Sequence, residues 1–516
     1  MFQSETQRLQ LITWAVLLFL PFVSVLRYGG NVDDAYWHIK IGEWILAHHQ
    51  VPTTGIFSHT NPDTPWVSHE WLSEVILYKV FQYGNWAGLV FLTMFSSFTT
   101  ILIVLWFLLK RLSTVQSLIF VLFAYLLLLP HFSPRPHILA IPIMTYWTAC
   151  LIEACEKQGR PPFHILPLMI LWVNMHGSFI AGIAFSVFFA AETVFYATSE
   201  ARKKLVSSWM IFILAALLAT ATTPHGFAGW LLPFQVSNQS YATSRIGEWL
   251  SPDFHNFQPL ELWLLSFLTL TLMQGIKLPV FRLVFLLGLL HLSLKHQRYV
   301  NDLLSVLSPL ILASPLAKHW HSQSEINFNE VLPKTYKSIT IFVICFAGLF
   351  FYLAQMENIE MKSIQQAKKV LQVLKPEQSK LGNVLNNYGI GDFLIHEGYQ
   401  TFIDPRSEMY GDKFMKDYFD AIELGESSKR LEDMIAKYHV TWTFFYTSYP
   451  INTYLATQPN WVRLYSDKVL TIYVSQAVKL SSQMRINLKE TEKQALAEQK
   501  KFFKTYGFPV FSKPYL

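Results

Sequence analysis

The sequence predicts a polytopic α-helical membrane protein with a C-terminal soluble α/β domain. Of its 516 residues, 52% are hydrophobic and only 15% are charged, whereas soluble domains carry about a quarter charged residues. Apolar runs of about 20 residues recur along most of the chain, and each is long enough to cross a bilayer. In such a protein the net charge of +6 reports membrane topology, and no nucleic-acid partner is expected.

Apolar segments that we predict to span the membrane are separated by short polar turns and one long loop. The predicted spans cover residues 11–26, 87–109, 115–130, 137–152, 163–175, 177–198, 205–222, 260–273, 280–294, 300–313 and 339–353. The count is about eleven because the shortest runs are also compatible with tilted or re-entrant segments. The long first loop, residues 29–86, contains two further helical patterns at 41–48 and 69–83.

Basic residues are more numerous on one side of these predicted spans. Lys110 and Arg111, and later Arg202, Lys203 and Lys204, fall in loops on the same side as the N-terminus. Loops rich in Lys and Arg stay in the cytoplasm. We therefore expect a cytoplasmic N-terminus, with the first loop and everything after the last span on the outer face.

The chain is predicted to divide near residue 354. Residues 1–354 form the transmembrane domain, residues 355–478 an outward α/β domain, and residues 479–516 a helical or loose tail. Short apolar strands and helices alternate in the α/β domain, which favours a mostly parallel sheet. The predicted strands are 383–386, 401–404, 441–446 and 469–474, and the predicted helices are 413–424, 429–438 and 449–456.

Two adjacent carboxylates, Asp33 and Asp34, lie just after the first predicted span and are followed by Tyr36, Trp37 and His38. Ionisable groups beside hydrocarbon are costly and often functional, so this stretch is a candidate site. The alternative is a solvated helix end with an aromatic anchor at the membrane interface.

Most other unusual polar residues fall on the same predicted outer face, where they could line one cavity. They are His69, Glu70, Arg135, His137, Asn174, His176, His225, Glu248, His296 and Arg298. A carboxylate can deprotonate a hydroxyl or orient a divalent ion, and Arg binds phosphate through two parallel hydrogen bonds. This combination suits a reaction between a lipid-phosphate-linked donor and a polar acceptor.

Short motifs in the chain resemble those of GT-C glycosyltransferases. The class includes oligosaccharyltransferase catalytic subunits, protein O-mannosyltransferases and the lipid A aminoarabinose transferase, and this chain is most similar to a bacterial group of GT-C-like membrane proteins. The matching residues are Asp34 to His38, Gly42 to Leu46, Pro52, Phe57-Ser58, Trp66, His69 to Leu72, Arg135-Pro136, Trp172 to Gly177, Pro224 to Gly226, Glu248-Trp249, Ser251-Pro252, Arg298, Asp404 to Arg406 and Tyr410.

The resemblance implies a membrane glycosyltransferase of the bacterial inner membrane that takes sugar from a polyprenyl-phosphate or polyprenyl-diphosphate carrier. Asp34, with Asp33 beside it, would be the catalytic carboxylate. The acceptor would be a glycan, lipid or protein on the outer face. The implied substrate-binding residues are Arg135 and Arg298 for the phosphate, His38, His69 and Glu70 on the acceptor or metal side, and also His176 and Glu248.

Many members of the class have a second acidic motif in a later outer loop. Here only Glu248, or Glu70 in the first loop, is available for that position. The sequence thus leaves metal dependence open, with Mg or Mn as the candidate cation and no other cofactor expected.

Each assignment has a structural alternative. The outward tryptophans suit an interfacial belt, Arg135 and Arg298 suit headgroup anchors, and Asp404 with Arg406 suits a structural ion pair.

Two other functions also stay open, a transporter or flippase for a lipid-linked substrate and a non-catalytic subunit of a glycan assembly complex. A transporter predicts charged groups at mid-depth in the spans, and we expect the spans to be nearly free of them.

Overall fold

The computed structural model describes residues 34–321, 348, 362–425 and 428–506. The chain forms two compact units. Among the described residues, the membrane unit contains His69–Pro233 and 248–321, and the sheet unit contains 34–68, Phe234–Gly247 and those from 362 onward. The predicted spans 11–26 and 339–353 and the carboxylate of Asp33 lie outside the described residues.

The helices and strands follow in chain order. The helices are α1 (Ala35–His48), α2 (Trp71–Leu109), α3 (Thr114–Leu128), α4 (Pro136–Glu156), α5 (Leu166–Met175), α6 (Phe179–Phe195), α7 (Ser199–Ala219), α8 (Leu232–Ser237), α9 (Ser240–Arg245), α10 (Pro259–Gln274), α11 (Val280–Lys295), α12 (Gln297–Tyr299), α13 (Ser305–His319), α14 (Lys362–Leu374), α15 (Gln378–Leu381), α16 (Gly391–His396), α17 (Ser407–Ile422), α18 (Lys429–Lys437), α19 (Pro450–Thr457) and α20 (Ser482–Tyr506). The strands are β1 (Asn383–Asn386), β2 (Val440–Tyr446), β3 (Trp461–Ser466) and β4 (Leu470–Ser475).

Four of the described helical stretches are long and apolar enough to cross a membrane. They are Trp71–Leu109, Thr114–His131, Pro136–Glu156 and Gln297–His319, and three shorter apolar helices accompany them at Phe163–Met175, Phe179–Phe195 and Pro259–Gln274. These helices support an integral membrane protein with several spans. The predicted count of about eleven is not confirmed by the described residues.

Helix α2 joins two predicted elements, the loop helix 69–83 and the span 87–109, into one 39-residue helix. The join is kinked at Asn85, whose backbone is left-handed with φ 48°. Asn tolerates this conformation better than most residues. A Cβ on Gly88 would lie 2.8 Å from the carbonyl oxygen of Val80, so the kink also requires a residue without a side chain.

The helical core of the membrane unit depends on close contacts around α4. The indole Nε1 of Trp147 donates to the carbonyl oxygen of Gly182 at 3.1 Å. A Cβ on Gly182 would lie 2.5 Å from the ring of Trp172, so Gly182 permits α6 to approach α5. Both tryptophans are fully buried, which keeps these helices in one register through dense packing.

One turn between α12 and α13 is widened into a π-helical segment, Val300–Leu304. It interrupts the long helix Gln297–His319 and carries the buried Asp302. Segments of this kind are frequent at functional sites.

The sheet unit contains a four-stranded sheet in the order β1-β2-β4-β3. Only β1 and β2 are parallel, while β2–β4 and β3–β4 are antiparallel, so the predicted mostly parallel sheet is wrong. Residues 401–404 form no strand, since Thr401 makes a single bridge to Ser58. Strand β3 was not predicted.

The first loop contributes α1 to this unit, packed on α16. The ring of Tyr36 meets the rings of Phe393 and His396 edge-on, each with centroids 5.3 Å apart. His59 Nε2 also contacts the carbonyl oxygen of Val384 at 2.8 Å. Residues 34–68 therefore fold with the C-terminal part of the chain, whereas the predicted division assigned them to the transmembrane domain. At the other end, α20 packs on α14 and β3, so residues 482–506 of the predicted tail form an ordered helix.

Candidate functional site

Glu248 lies between two arginines of the membrane unit. Arg135 Nη1 donates to its Oε2 at 2.9 Å, and Arg298 Nη1 donates to its Oε1 at 3.2 Å. Glu248 is in the 3-10 turn Gly247–Trp249, Arg135 precedes Pro136 at the start of α4, and Arg298 is in α12. Arg135, Glu248 and Arg298 are far apart in the sequence but meet in the structure. The sequence analysis predicted that these residues lie close together around one cavity.

A buried histidine extends this network. His131 Nδ1 lies 2.7 Å from Asp302 Oδ1, and its Nε2 lies 3.4 Å from Glu248 Oε2. The ring of His131 thus bridges the carboxylates of Asp302 and Glu248.

Four further predicted residues surround the network. His137 Nε2 donates to the backbone carbonyl of His131 at 3.1 Å, and its ring centroid is 6.4 Å from that of His176. His176 Nε2 lies 3.4 Å from Glu70 Oε1, which lies 3.5 Å from His69 Nε2. The membrane unit therefore brings together six of the predicted substrate-binding residues, Arg135, Arg298, Glu248, His176, Glu70 and His69.

The charges of two groups in this network follow from their surroundings. Burial by itself would raise the pKa of the Glu248 carboxyl, but Arg135 and Arg298 lower it well below its usual range. Burial, and then the charge of Arg298, lowers the pKa of His176 to about 3. At neutral pH the network thus contains an ionised Glu248 and a neutral His176.

His131, His137 and Asp302 form a candidate metal site. Each offers one ligand atom, and these atoms lie within 4.8 Å of one another. Two imidazoles and one carboxylate suit Mn²⁺ or Zn²⁺ better than Mg²⁺, which prefers oxygen ligands. The residues fit a transition-metal ion, although they are not the acidic residues expected from the sequence.

Sequence reasoning missed His131 and Asp302. Asp302 lies inside the predicted span 300–313, and an acidic residue within an apolar span is itself a functional signal. Two further charged side chains lie towards the ends of predicted spans. Glu192 and Arg282 are buried in the apolar helices α6 and α11, where Arg282 Nε donates to Glu192 Oε1 at 2.8 Å.

The predicted catalytic stretch belongs to the sheet unit. Asp34 precedes α1 with a left-handed backbone, φ 63°, a conformation that non-glycine residues adopt rarely and often at functional positions. His38 is buried, with its ring centroid 3.6 Å from that of Trp37. The predicted site residues are therefore divided between the two units.

A narrow cavity of about 10 Å³, room for roughly one water molecule and partly open to its surroundings, lies in the membrane unit. It is lined by His69, Trp71, Val173, Phe179, Thr223, His225, Gly226, Gly229 and Trp230. His69 also contacts Glu70, so the cavity adjoins the ionisable network.

Solved structures resemble this chain over most of its length. The oligosaccharyltransferase AglB from Archaeoglobus fulgidus, in complex with an inhibitory peptide and a dolichol-phosphate, matches 92% of this chain and 77% of its own, with TM-score 0.51 and 10% identity. Its apo form matches 96% of this chain and 78% of its own, with TM-score 0.50 and 10% identity. The fold of this chain is therefore similar to that of this oligosaccharyltransferase.

A third solved structure matches less closely. ArnT from Cupriavidus metallidurans, bound to undecaprenyl phosphate, matches 92% of this chain and 99% of its own, with TM-score 0.46 and 12% identity. No family model matches the chain, and no curated protein matches it in sequence. The likeness to known proteins is therefore one of fold.

Proposed function

We propose that this protein is a glycosyltransferase that moves a sugar from a polyprenyl-phosphate or polyprenyl-diphosphate carrier to a glycan, lipid or protein acceptor at the outer face of the membrane. The observation that carries the proposal is the arrangement of Arg135 and Arg298 on Glu248 in a chain with the GT-C fold. The single carboxylate of Glu248 holds two guanidinium groups in place, and a guanidinium group offers five N–H donors for binding a phosphate.

The same charges suit the transition state of glycosyl transfer. A bond forms between the acceptor oxygen and the anomeric carbon while the bond from that carbon to the carrier phosphate oxygen breaks. Negative charge grows on the leaving phosphate, and preorganised Arg135 and Arg298 would stabilise it. From the resemblance we assign Asp34, with its sequence neighbour Asp33, as the general base for the acceptor hydroxyl, and we assign His38, Glu70 and His176 to acceptor binding. His131, His137 and Asp302 would hold a divalent cation, which supplies further positive charge for the phosphate.

Binding of farnesyl phosphate to the full-length protein in lipid nanodiscs tests the phosphate site. Arg298→Ala should weaken binding by about 10- to 100-fold, because a charge-assisted hydrogen bond contributes about 1.5–3 kcal/mol, and Arg298→Lys should fall between. Arg202→Ala, on α7 of the same unit, is the matched control. Equal affinity in Arg298→Ala and Arg202→Ala would reject the phosphate role. In cells that lack the native copy, Asp34→Asn should abolish glycan transfer while farnesyl phosphate binding stays intact.

A further inference from the structure

Two turns of the chain lie together at one end of the membrane unit. Helix α6 ends at Phe195 and α7 begins at Ser199, so the turn between them lies at the start of α7. The turn between α4 and α5 is fixed to α7, because the buried Trp209 donates from Nε1 to the carbonyl oxygen of Gly159 at 3.1 Å. Since an α-helix rises 1.5 Å per residue, Trp209 lies only about 9 Å along the axis from Lys203. The two turns are therefore neighbours.

These turns carry five exposed basic side chains, which we call the basic patch. They are Lys157 and Arg160 after α4, and Arg202, Lys203 and Lys204 at the start of α7. The guanidinium group of Arg202 is held in place by a hydrogen bond from its Nη2 to the carbonyl oxygen of Ala197 at 3.2 Å. The basic patch thus combines residues of two segments that the packing of α7 fixes side by side.

Acidic side chains near the basic patch are too few to neutralise it. Residues 157–165 and 196–204 contain all five cations but a single carboxylate, that of Glu200. A second carboxylate, that of Glu153, lies 3.7 Å from the Nζ of Lys157. The basic patch therefore keeps an excess of positive charge.

An apolar face of α7 begins next to the basic patch. Val206, Met210, Leu214 and Leu218 are exposed, and residues four apart lie on the same side of a helix. The distance from Val206 to Leu218 along the axis is about 18 Å. This length is close to half of the hydrocarbon core of a bilayer, which is about 30 Å thick. The apolar face therefore matches the depth of one leaflet.

Aromatic side chains indicate the level at which the basic patch lies. Tyr196 is exposed in the turn between α6 and α7, and Phe163 is exposed just before α5. The ring of Phe163 packs edge-on against Phe212 of α7, with centroids 5.6 Å apart. Tyrosine concentrates where a membrane meets water, so the basic patch is placed at the level of the lipid headgroups.

From these features we infer that the basic patch binds the headgroup of an anionic phospholipid, phosphatidylglycerol, whose acyl chains lie on the apolar face of α7. Arg and Lys N–H groups bond to the phosphate oxygens, and the net negative charge of this lipid is what basic side chains near a membrane attract. A soluble acidic protein would not cover an apolar face that extends through a leaflet. The inference goes beyond the proposed glycosyl transfer and does not depend on it.

Photoactivatable phosphatidylglycerol and phosphatidylcholine with identical acyl chains test this site on the full-length protein in phosphatidylcholine nanodiscs. After illumination and pepsin digestion, mass spectrometry measures the label on residues 205–219. In the wild type, phosphatidylglycerol should label this segment at least about fivefold more than phosphatidylcholine, because even one nearby cation favours an anionic lipid by about that factor. The triple variant Arg202→Gln/Lys203→Gln/Lys204→Gln should be labelled about equally by both lipids.

Single variants separate the basic patch from the net charge of the protein. Arg160→Gln should lose part of the preference for phosphatidylglycerol, whereas Lys277→Gln, at an exposed cation of another turn, should behave as the wild type. An unchanged thermal unfolding midpoint verifies that the triple variant is folded. Farnesyl phosphate binding should stay at the wild-type level in all of these variants.

Three results would overturn the inference. They are equal labelling of the wild type by the two lipids, a triple variant that keeps the preference, and the same preference in Arg160→Gln and Lys277→Gln. Unlabelled farnesyl phosphate is the competitor that distinguishes a second source of phosphate. If it displaces the phosphatidylglycerol probe better than unlabelled phosphatidylglycerol does, the basic patch binds a prenyl phosphate and the inference fails.

Discussion

Asp404 accepts two hydrogen bonds from the guanidinium group of Arg406, at 2.7 Å from Nε and 2.8 Å from Nη2. Both side chains are fully buried in the sheet unit, and Tyr410 Oη donates to Asp404 Oδ2 at 2.6 Å. The guanidinium also lies over the ring of Trp66, 4.9 Å from its centroid. This geometry favours the structural role over a site role for the motif, since every contact is internal to the unit.

Removing one partner of this ion pair should destabilise the sheet unit. Arg406→Met leaves the buried carboxylate of Asp404 uncompensated, which costs about 3–5 kcal/mol. Hydrogen–deuterium exchange should show faster exchange along α17, whereas Arg430→Met at an exposed ion pair with Asp420 should have little effect. The double variant Asp404→Asn/Arg406→Met should recover part of the loss. Equal protection of α17 from exchange in Arg406→Met and Arg430→Met would contradict the prediction.

Acid should loosen the contact between α1 and α16. Burial lowers the pKa of His396 from 6.5 to about 4, and Lys368 and Lys40 lower it further while Glu43 opposes them. The unfolded chain takes up a proton near pH 6.5, and the folded chain does so only near pH 4. The stability from neutral His396 is therefore complete above pH 6.5 and is lost as the pH falls toward 4, by roughly 2 kcal/mol at pH 5.

Hydrogen–deuterium exchange of α16 at pH 7.5 and pH 5 measures this loss. After correction for intrinsic exchange rates, protection in the wild type should fall at pH 5. His396→Gln should show a smaller fall, and His48→Gln, at an exposed position of α1, should behave as the wild type. A pH dependence that His396→Gln leaves intact would assign the effect to other groups.

Binding of Mn²⁺ should depend on the buried imidazoles of the membrane unit. His137→Ala removes one of three candidate ligands and should weaken Mn²⁺ binding at least about tenfold, as measured by the loss of the free Mn²⁺ electron paramagnetic resonance signal. His164→Ala, at an exposed histidine of the same unit, is the control. Equal Mn²⁺ affinity in these two variants would rule out His131, His137 and Asp302 as the site.

From the sequence, the polar residues that meet in the membrane unit were easier to predict than the contacts between them. Arg135, Glu248 and Arg298 are polar residues at the ends of apolar segments, and such positions are readable from the hydropathy pattern. His131 and Asp302 were missed because they fall within or directly beside predicted spans, where hydropathy averages hide a single charge. Which carboxylate meets which cation depends on helix packing, and the linear pattern does not contain that information.

The direction of the strands in the sheet unit was also only partly predictable from the sequence. Alternating helices and strands favour parallel pairing, and only β1 and β2 pair in this way. Strands β3 and β4 are joined by a tight turn in which Asp467 Oδ1 accepts hydrogen bonds from the backbone N–H groups of Val469 and Leu470, at 2.6 and 2.7 Å. An Asp that binds the backbone two residues later is a turn signal. It could have identified the hairpin and thus the missing strand β3.

The sheet unit is assembled from segments made at widely separated times. Nearly 300 residues lie between Ser68 and Glu360, the bounds of its first and last segments. Synthesis at about 5–20 residues per second takes on the order of 15–60 s for that length. During this interval α1 is already made while α16, which covers Tyr36, does not yet exist. The newly made chain therefore exposes the aromatic face of α1 to water, lipid or a chaperone until α16 has been synthesised.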